Sequence, residues 1–100
     1  MSIDEKPEWT FLTNHGHVLL CIARDPMIRG REIAAQVGIT ERATQSIVAD
    51  LVAAGYVTRS REGRRNHYAL NQDLPFRHPV EQAHLVGELL RVLAGPVRQL

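Results

Sequence analysis

The chain has 100 residues but only one cysteine, Cys21, one lysine, Lys6, and one tryptophan, Trp9. A single cysteine excludes an intrachain disulfide framework and the cysteine-rich zinc modules. The longest apolar run, residues 18–23, is far short of the ~20 residues that cross a bilayer, so no membrane partner is expected. The acidic, polar start MSIDEKPEWT has neither the basic region nor the apolar core of a secretory leader, so a cytoplasmic location is expected. The glycines are scattered singly, with no loop that would cradle a phosphate. Ser2, Ser46 and Ser60 lack the surroundings that activate a nucleophile. No catalytic residues, no cofactor and no enzymatic activity are expected.

What is present is an ordinary globular balance, 44% apolar and 23% charged, which argues against a disordered or low-complexity chain. A domain of this length buries only about two thirds of its unfolded surface and often draws stability from a second subunit. With disulfides excluded, a homodimer is the expected support. The net charge is only +1, but it is unevenly distributed. Asp4, Glu5 and Glu8 face only Lys6 at the start, whereas Arg59, Arg61, Arg64 and Arg65 crowd around Glu62. A near-neutral chain with one arginine cluster suits a localised anionic partner.

Helical spacing predicts a first helix over 14–24, which Asp25-Pro26 stops because a residue before proline avoids helical angles. Residues 27–29 are expected as a short strand. A second helix over 31–37 carries Ile33, Ala34 and Val37 on a narrow apolar face and ends at Gly38. Thr40 is an N-cap residue for a third helix over 40–54. Ala43, Ile47, Leu51 and Ala54 form its apolar back, widened by Val48 and Val52. Arg42, Gln45, Ser46 and Ala49 form an opposite face of short polar side chains with one arginine. The period then changes to two over 56–61 and 66–70, with Gly63 marking a hairpin turn. Val57, Tyr68 and Leu70 are expected to point inward, with the arginines at the tip and outer edge.

The stretch REIAAQVGITERATQSIVADLVAAGYVTR resembles the helix-turn-helix of winged-helix transcriptional regulators of the MarR/ArsR type. Ala34, Gly38, Ile39, Ile47 and Leu51 match its small, turn and core positions, and GYVTRSREGRRNHYAL resembles the wing. The resemblance implies an α+β, mainly helical fold: a three-helix core, a two-stranded wing and a C-terminal dimerisation helix. It divides the chain into an extension over 1–13, a DNA-binding domain over 14–77 and a dimerisation helix over 78–100. It implies a homodimeric regulator, a repressor, on an inverted-repeat operator in double-stranded DNA. The major groove admits a helix and displays a distinct pattern for each base pair. Thr40, Glu41, Arg42, Gln45 and Ser46 are the candidates to meet it. Arg59, Arg61, Arg64, Arg65 and Asn66 are the wing candidates, on the backbone or in the minor groove, with His67 peripheral. A solvated helix face and an arginine edge that blocks strand aggregation are the competing readings.

The last predicted helix opens at His78-Pro79 and runs to residue 94. Its polar stripe, Glu81, His84, Glu88 and Arg91, is only about 80° wide. So much apolar surface predicts a dimer seam through Val80, Ala83, Val86, Leu89, Leu90 and Leu93. No metal site is expected. His17 with Cys21, and Glu81 with His84 and Glu88, are weak matches to sensor ligands beside two plainer readings, an inert half-buried thiol and a solvated stripe with a Glu88–Arg91 pair. An effector is left unidentified. Trp9 and Phe11 can close over the core or over a partner subunit. Two other functions compete with DNA binding: a protein-interaction module built on the same faces, and a metal- or redox-responsive switch.

Overall fold

The computed structural model describes residues 7–95. Six elements follow in order: α1 (Asn14–Arg24), α2 (Gly30–Val37), α3 (Glu41–Ala53), β1 (Val57–Glu62), β2 (Arg65–Leu70) and α4 (Val86–Ala94). The fold is mainly helical with one antiparallel ribbon, as the sequence leads one to expect. α1 is the central element. Val18, Leu19, Leu20, Cys21, Ile22 and Ala23 are all buried, because α2, α3 and α4 pack around it. Ile33 from α2, Val48 and Leu51 from α3, Val57 and Tyr68 from the ribbon and Leu90 from α4 complete one core.

The joints follow local chemistry. The Gly38 N–H returns to the Ala34 carbonyl (2.8 Å) at φ 83°, a left-handed conformation that favours glycine. Two residues later the Thr40 hydroxyl accepts from the Ala43 N–H (3.0 Å) and starts α3. The ribbon pairs Val57 with Leu70 through Glu62 with Arg65, closed by the two residues Gly63 and Arg64. Gly63 takes φ 62°, which a two-residue hairpin turn requires.

Two expectations are corrected. Residues 27–29 form no strand. Asp25 closes a turn instead, accepting from the Ile28 N–H on its carbonyl (3.0 Å) and from the Met27 N–H on its carboxylate (3.0 Å). One strand-like bond survives, from the Tyr68 N–H to the Pro26 carbonyl (2.8 Å), and ties the α1–α2 connection to the ribbon.

The last helix begins at Val86, not at Pro79. Residues 78–85 turn back on themselves, with the Val80 N–H on His78 Nδ1 (3.1 Å) and the His84 N–H on the Glu81 carbonyl (3.0 Å). The carbonyls of Leu74 and Gln72 accept from the Val86 and Gly87 N–H groups (2.8 and 3.0 Å). The Glu88 carboxylate accepts from the Leu85 N–H (2.6 Å). The start of α4 is therefore set by the preceding loop. The proposed seam changes accordingly. Val86 and Leu90 are 4% and 1% exposed and belong to this chain's own core, so they are withdrawn as interface residues. Val80 and Ala83 are exposed but lie outside the helix, Leu93 is exposed on it, and Leu89 is half-buried.

Candidate nucleic-acid interface

α3 is held by its back and open at its front. Ile47, Val48 and Leu51 are buried, and so is Thr44, whose hydroxyl donates to the Thr40 carbonyl (3.0 Å). The sequence reading missed Thr44 because threonine counts as polar. Its hydrogen bond to the preceding turn is what lets it enter the core. Ala54, expected on the back, is exposed. Glu41, Arg42, Gln45, Ser46 and Ala49 are all exposed, which leaves a polar front along one side of the helix. Thr40 is exposed too, but its hydroxyl oxygen is engaged as the cap.

The front extends onto α2. Gln45 lies against Gly30: a Cβ at residue 30 would sit 2.6 Å from Gln45 Nε2. Arg29 and Arg31, on either side of Gly30, are both exposed. Neither was singled out from sequence. The signal was there, in the run Ile-Arg-Gly-Arg-Glu at a helix start. The Glu32 carboxylate accepts from the Arg29 backbone N–H (2.9 Å) and makes no ion pair with either guanidinium.

In the wing, Arg59, Arg61 and Arg64 are exposed. Side chains alternate along a strand, so Arg59 and Arg61 share the face of Val57, not an outer edge. They lie beyond the core on that face, where the ribbon projects. Arg65 behaves differently from the other wing arginines. Its Nη2 donates to the Met27 carbonyl (2.8 Å), and its Nε is buried. It braces the wing against the α1–α2 connection. Asn66 and His67 are half-buried. Among the described residues the only side-chain ion pairs are His15–Asp50 and His84–Glu88. Arg29, Arg31, Arg42, Arg59, Arg61 and Arg64 thus carry positive charge without a carboxylate partner.

The sensor alternatives gain nothing from this geometry. Cys21 is buried, with Sγ 3.4 Å from Gln36 Oε1. Burial pushes its thiol up, which keeps it protonated and weakly nucleophilic at neutral pH. His17 Nδ1 lies by Asn14 Oδ1 (3.2 Å). No group of three or more His, Cys, Asp or Glu among the described residues is placed to hold a metal ion. Nor is any helix among them long and apolar enough to cross a membrane.

The sequence model of the MarR family matches residues 11–66, more than half of the chain. The chain belongs to the MarR family. Members of this family are transcription regulators, not enzymes, and the winged-helix architecture described above is theirs. Among solved structures, this MarR chain is similar to the Mycobacterium tuberculosis MarR family protein Rv2887 in complex with salicylic acid. The likeness is at 21% identity and TM-score 0.54, over 83% of this chain and 58% of the other. It is also similar, at 21% identity and TM-score 0.47, to the zinc-dependent MarR family regulator AdcR in its Zn(II)-bound state, over 69% of this chain and 49% of that one. The chain spans about half to three fifths of the length of these structures. Comparison with curated protein sequences gives no match.

Proposed function

We propose that this MarR-family chain is a sequence-specific DNA-binding repressor, active in the cytoplasm as a homodimer on an inverted-repeat operator. The observation that carries this reading is the set of exposed arginines without a carboxylate partner: Arg42 on α3, Arg29 and Arg31 at the head of α2, and Arg59, Arg61 and Arg64 on the wing. An apolar back holds α3 rigid while that front meets DNA. In the major groove Arg42 grips guanine, Gln45 reads adenine and Ser46 takes a base or a phosphate. Glu41 at the helix start reaches a cytosine amino group. The wing arginines meet phosphates or enter the minor groove, giving affinity and salt dependence with little sequence readout. Asn66, half-buried, contributes at the margin, and Arg65 acts on the wing's position more than on DNA. Bound across a promoter, such a dimer represses by occupancy.

Selection of binding sites from genomic fragments, followed by titration at two salt concentrations, tests this directly. An enriched two-fold sequence with half-sites about one helical turn apart is expected. Arg42→Ala should cost about 1–3 kcal/mol and relax one position of the site, and Arg64→Ala should lower the salt slope by about 1 across all sequences. No enriched sequence and no binding at low salt would move the same faces to a protein partner.

A further inference from the structure

The two strands of the wing meet the rest of the domain differently. Beyond Val57 every residue of β1 is exposed, whereas β2 is half-buried from Arg65 to His67 and buried from Tyr68 to Leu70. Two bonds tie β2 to the turn between α1 and α2. The Tyr68 N–H donates to the Pro26 carbonyl and Arg65 Nη2 to the Met27 carbonyl, both at 2.8 Å. Three residues of strand, about 10 Å, separate the two ties. The turn is itself anchored: Asp25 accepts from the Ile28 and Met27 N–H groups, and Ile28 is buried in the core. A ribbon held at one point swings about it, and a ribbon held at two keeps one pitch.

Arg65 is placed for this task and not for the arginine face of the wing. Residues opposite each other on paired strands share a face, so Arg65 goes with Glu62, while Arg59 and Arg61 go with Tyr68 and Asn66. Arg65 makes no ion pair with Glu62, and its Nε is buried without a hydrogen-bond partner. A guanidinium turned inward onto a backbone carbonyl is committed to the fold. Without it, the Tyr68–Pro26 bond becomes the pivot. Arg59 lies opposite Tyr68, at that pivot, whereas Arg61 lies two rungs further out and Arg64 in the turn at the tip. Rotation about the pivot leaves Arg59 nearly in place and moves Arg64 most.

We infer that Arg65 is a positioning residue for DNA: through the Met27 carbonyl it fixes the pitch of the wing and so delivers Arg61 and Arg64 to phosphates that a swinging ribbon would miss. This rests on the DNA reading above and adds how the reach of the wing is set.

Arg65→Met keeps the stem of the side chain and removes the donor. The full chain should be titrated with a mixed-sequence DNA duplex at several salt concentrations, because phosphate contacts need no particular operator. Arg65→Met should weaken binding by about 10-fold and lower the salt slope by about 2, where one charge on one phosphate accounts for about 1. In a chain already carrying Arg64→Ala its cost should shrink, and in one carrying Arg59→Ala it should not. Asp25→Ala loosens the turn and leaves the wing untouched. It removes a negative charge, which by itself favours a polyanion, so weaker binding with a lower slope isolates the geometry. Asp25→Asn keeps an acceptor for the Met27 N–H and should bind at least as tightly as the unchanged chain. A slope lowered by only about 1, with costs that add in both double variants, means that Arg65 touches a phosphate itself and overturns the positioning role. A lower thermal midpoint with the affinity and slope of the folded chain unchanged makes Arg65 a structural brace alone and overturns it too. No binding of the duplex by the unchanged chain at low salt overturns the DNA reading along with it.

Discussion

Residues 14–70 and the segments on either side treat apolar surface in opposite ways. In α1–α3 and the ribbon, the large apolar side chains are buried or packed against the core, and what remains outside is polar and rich in arginine. In the flanks the pattern reverses. Trp9, Phe11, Val80, Leu85, Val92 and Leu93 are all exposed. Charged groups without partners suit a polyanion, whose field rewards charge without demanding close packing. Exposed aromatic and aliphatic side chains suit another protein surface, where contact removes them from water. The two regions thus offer two different kinds of surface. α4 lies on the boundary, with one side in the core and the other open.

The largest test of that boundary is Leu90→Ala. Leu90 is 1% exposed, against α1, and its truncation should cost about 2–5 kcal/mol in chemical denaturation of the monomer. A loss that appears only at concentrations where the chain dimerises would return Leu90 to the seam. Gly87→Ala should follow at about 1–3 kcal/mol. A Cβ there would lie 2.7 Å from Gln72 Cβ and 2.8 Å from the Gln72 carbonyl oxygen, whose backbone cannot easily retreat. A neutral outcome would mean that the 71–77 loop does not hold α4 in place.

Acid should loosen α4 before the helix-turn-helix. The Leu85 backbone N–H, and then the His84 side chain, hold the Glu88 carboxyl below the usual glutamate range. A lowered native value means that the contribution is fully present above the ordinary glutamate pKa and fades as pH falls through the lowered one. The protection factors of the Val86–Ala94 amides, with the pH dependence of intrinsic exchange divided out, should therefore fall on acidification ahead of those in α3, and Glu88→Gln should remove the difference. Protection that falls equally in both helices would dissolve the distinction between the two regions.

Most of the helix-turn-helix was legible because its signals are local. Gly38 and Thr40 mark a turn and a cap within three residues, Gly63 marks the hairpin, and Ile47 with Leu51 marks the back of α3. Each acts through its own backbone or its own helix face. The misreadings share a different cause. α4 starts at Val86 because the carbonyls of Gln72 and Leu74, more than ten residues away, receive its first amides. Spacing alone could not reveal that, and Pro79 offered a plausible earlier start. Arg65 looks like its neighbours in sequence, and only the fold brings the Met27 carbonyl to it. Arg29 and Arg31 were overlooked because their relevance comes from α2 and α3 meeting at Gly30 and Gln45.

That last contact gives the smallest expected effect on stability and the sharpest one on readout. Gly30 is the first residue of α2, and alanine is the better helix former by roughly 1 kcal/mol in a helix interior, less at an end. The obstacle to a methyl group there is the far end of Gln45, a flexible side chain that can swing aside at little cost. Gly30→Ala should therefore leave the thermal midpoint unchanged or slightly raised. It should also turn Gln45 away from the resting place it has against α2. If Gln45 reads a base, the selected DNA site should change at one position in each half, with the rest of the site and the salt slope preserved. An unchanged site in a folded Gly30→Ala chain would mean that Gln45 is a solvated residue of the front. Direct readout by α3 would then fall chiefly to Arg42.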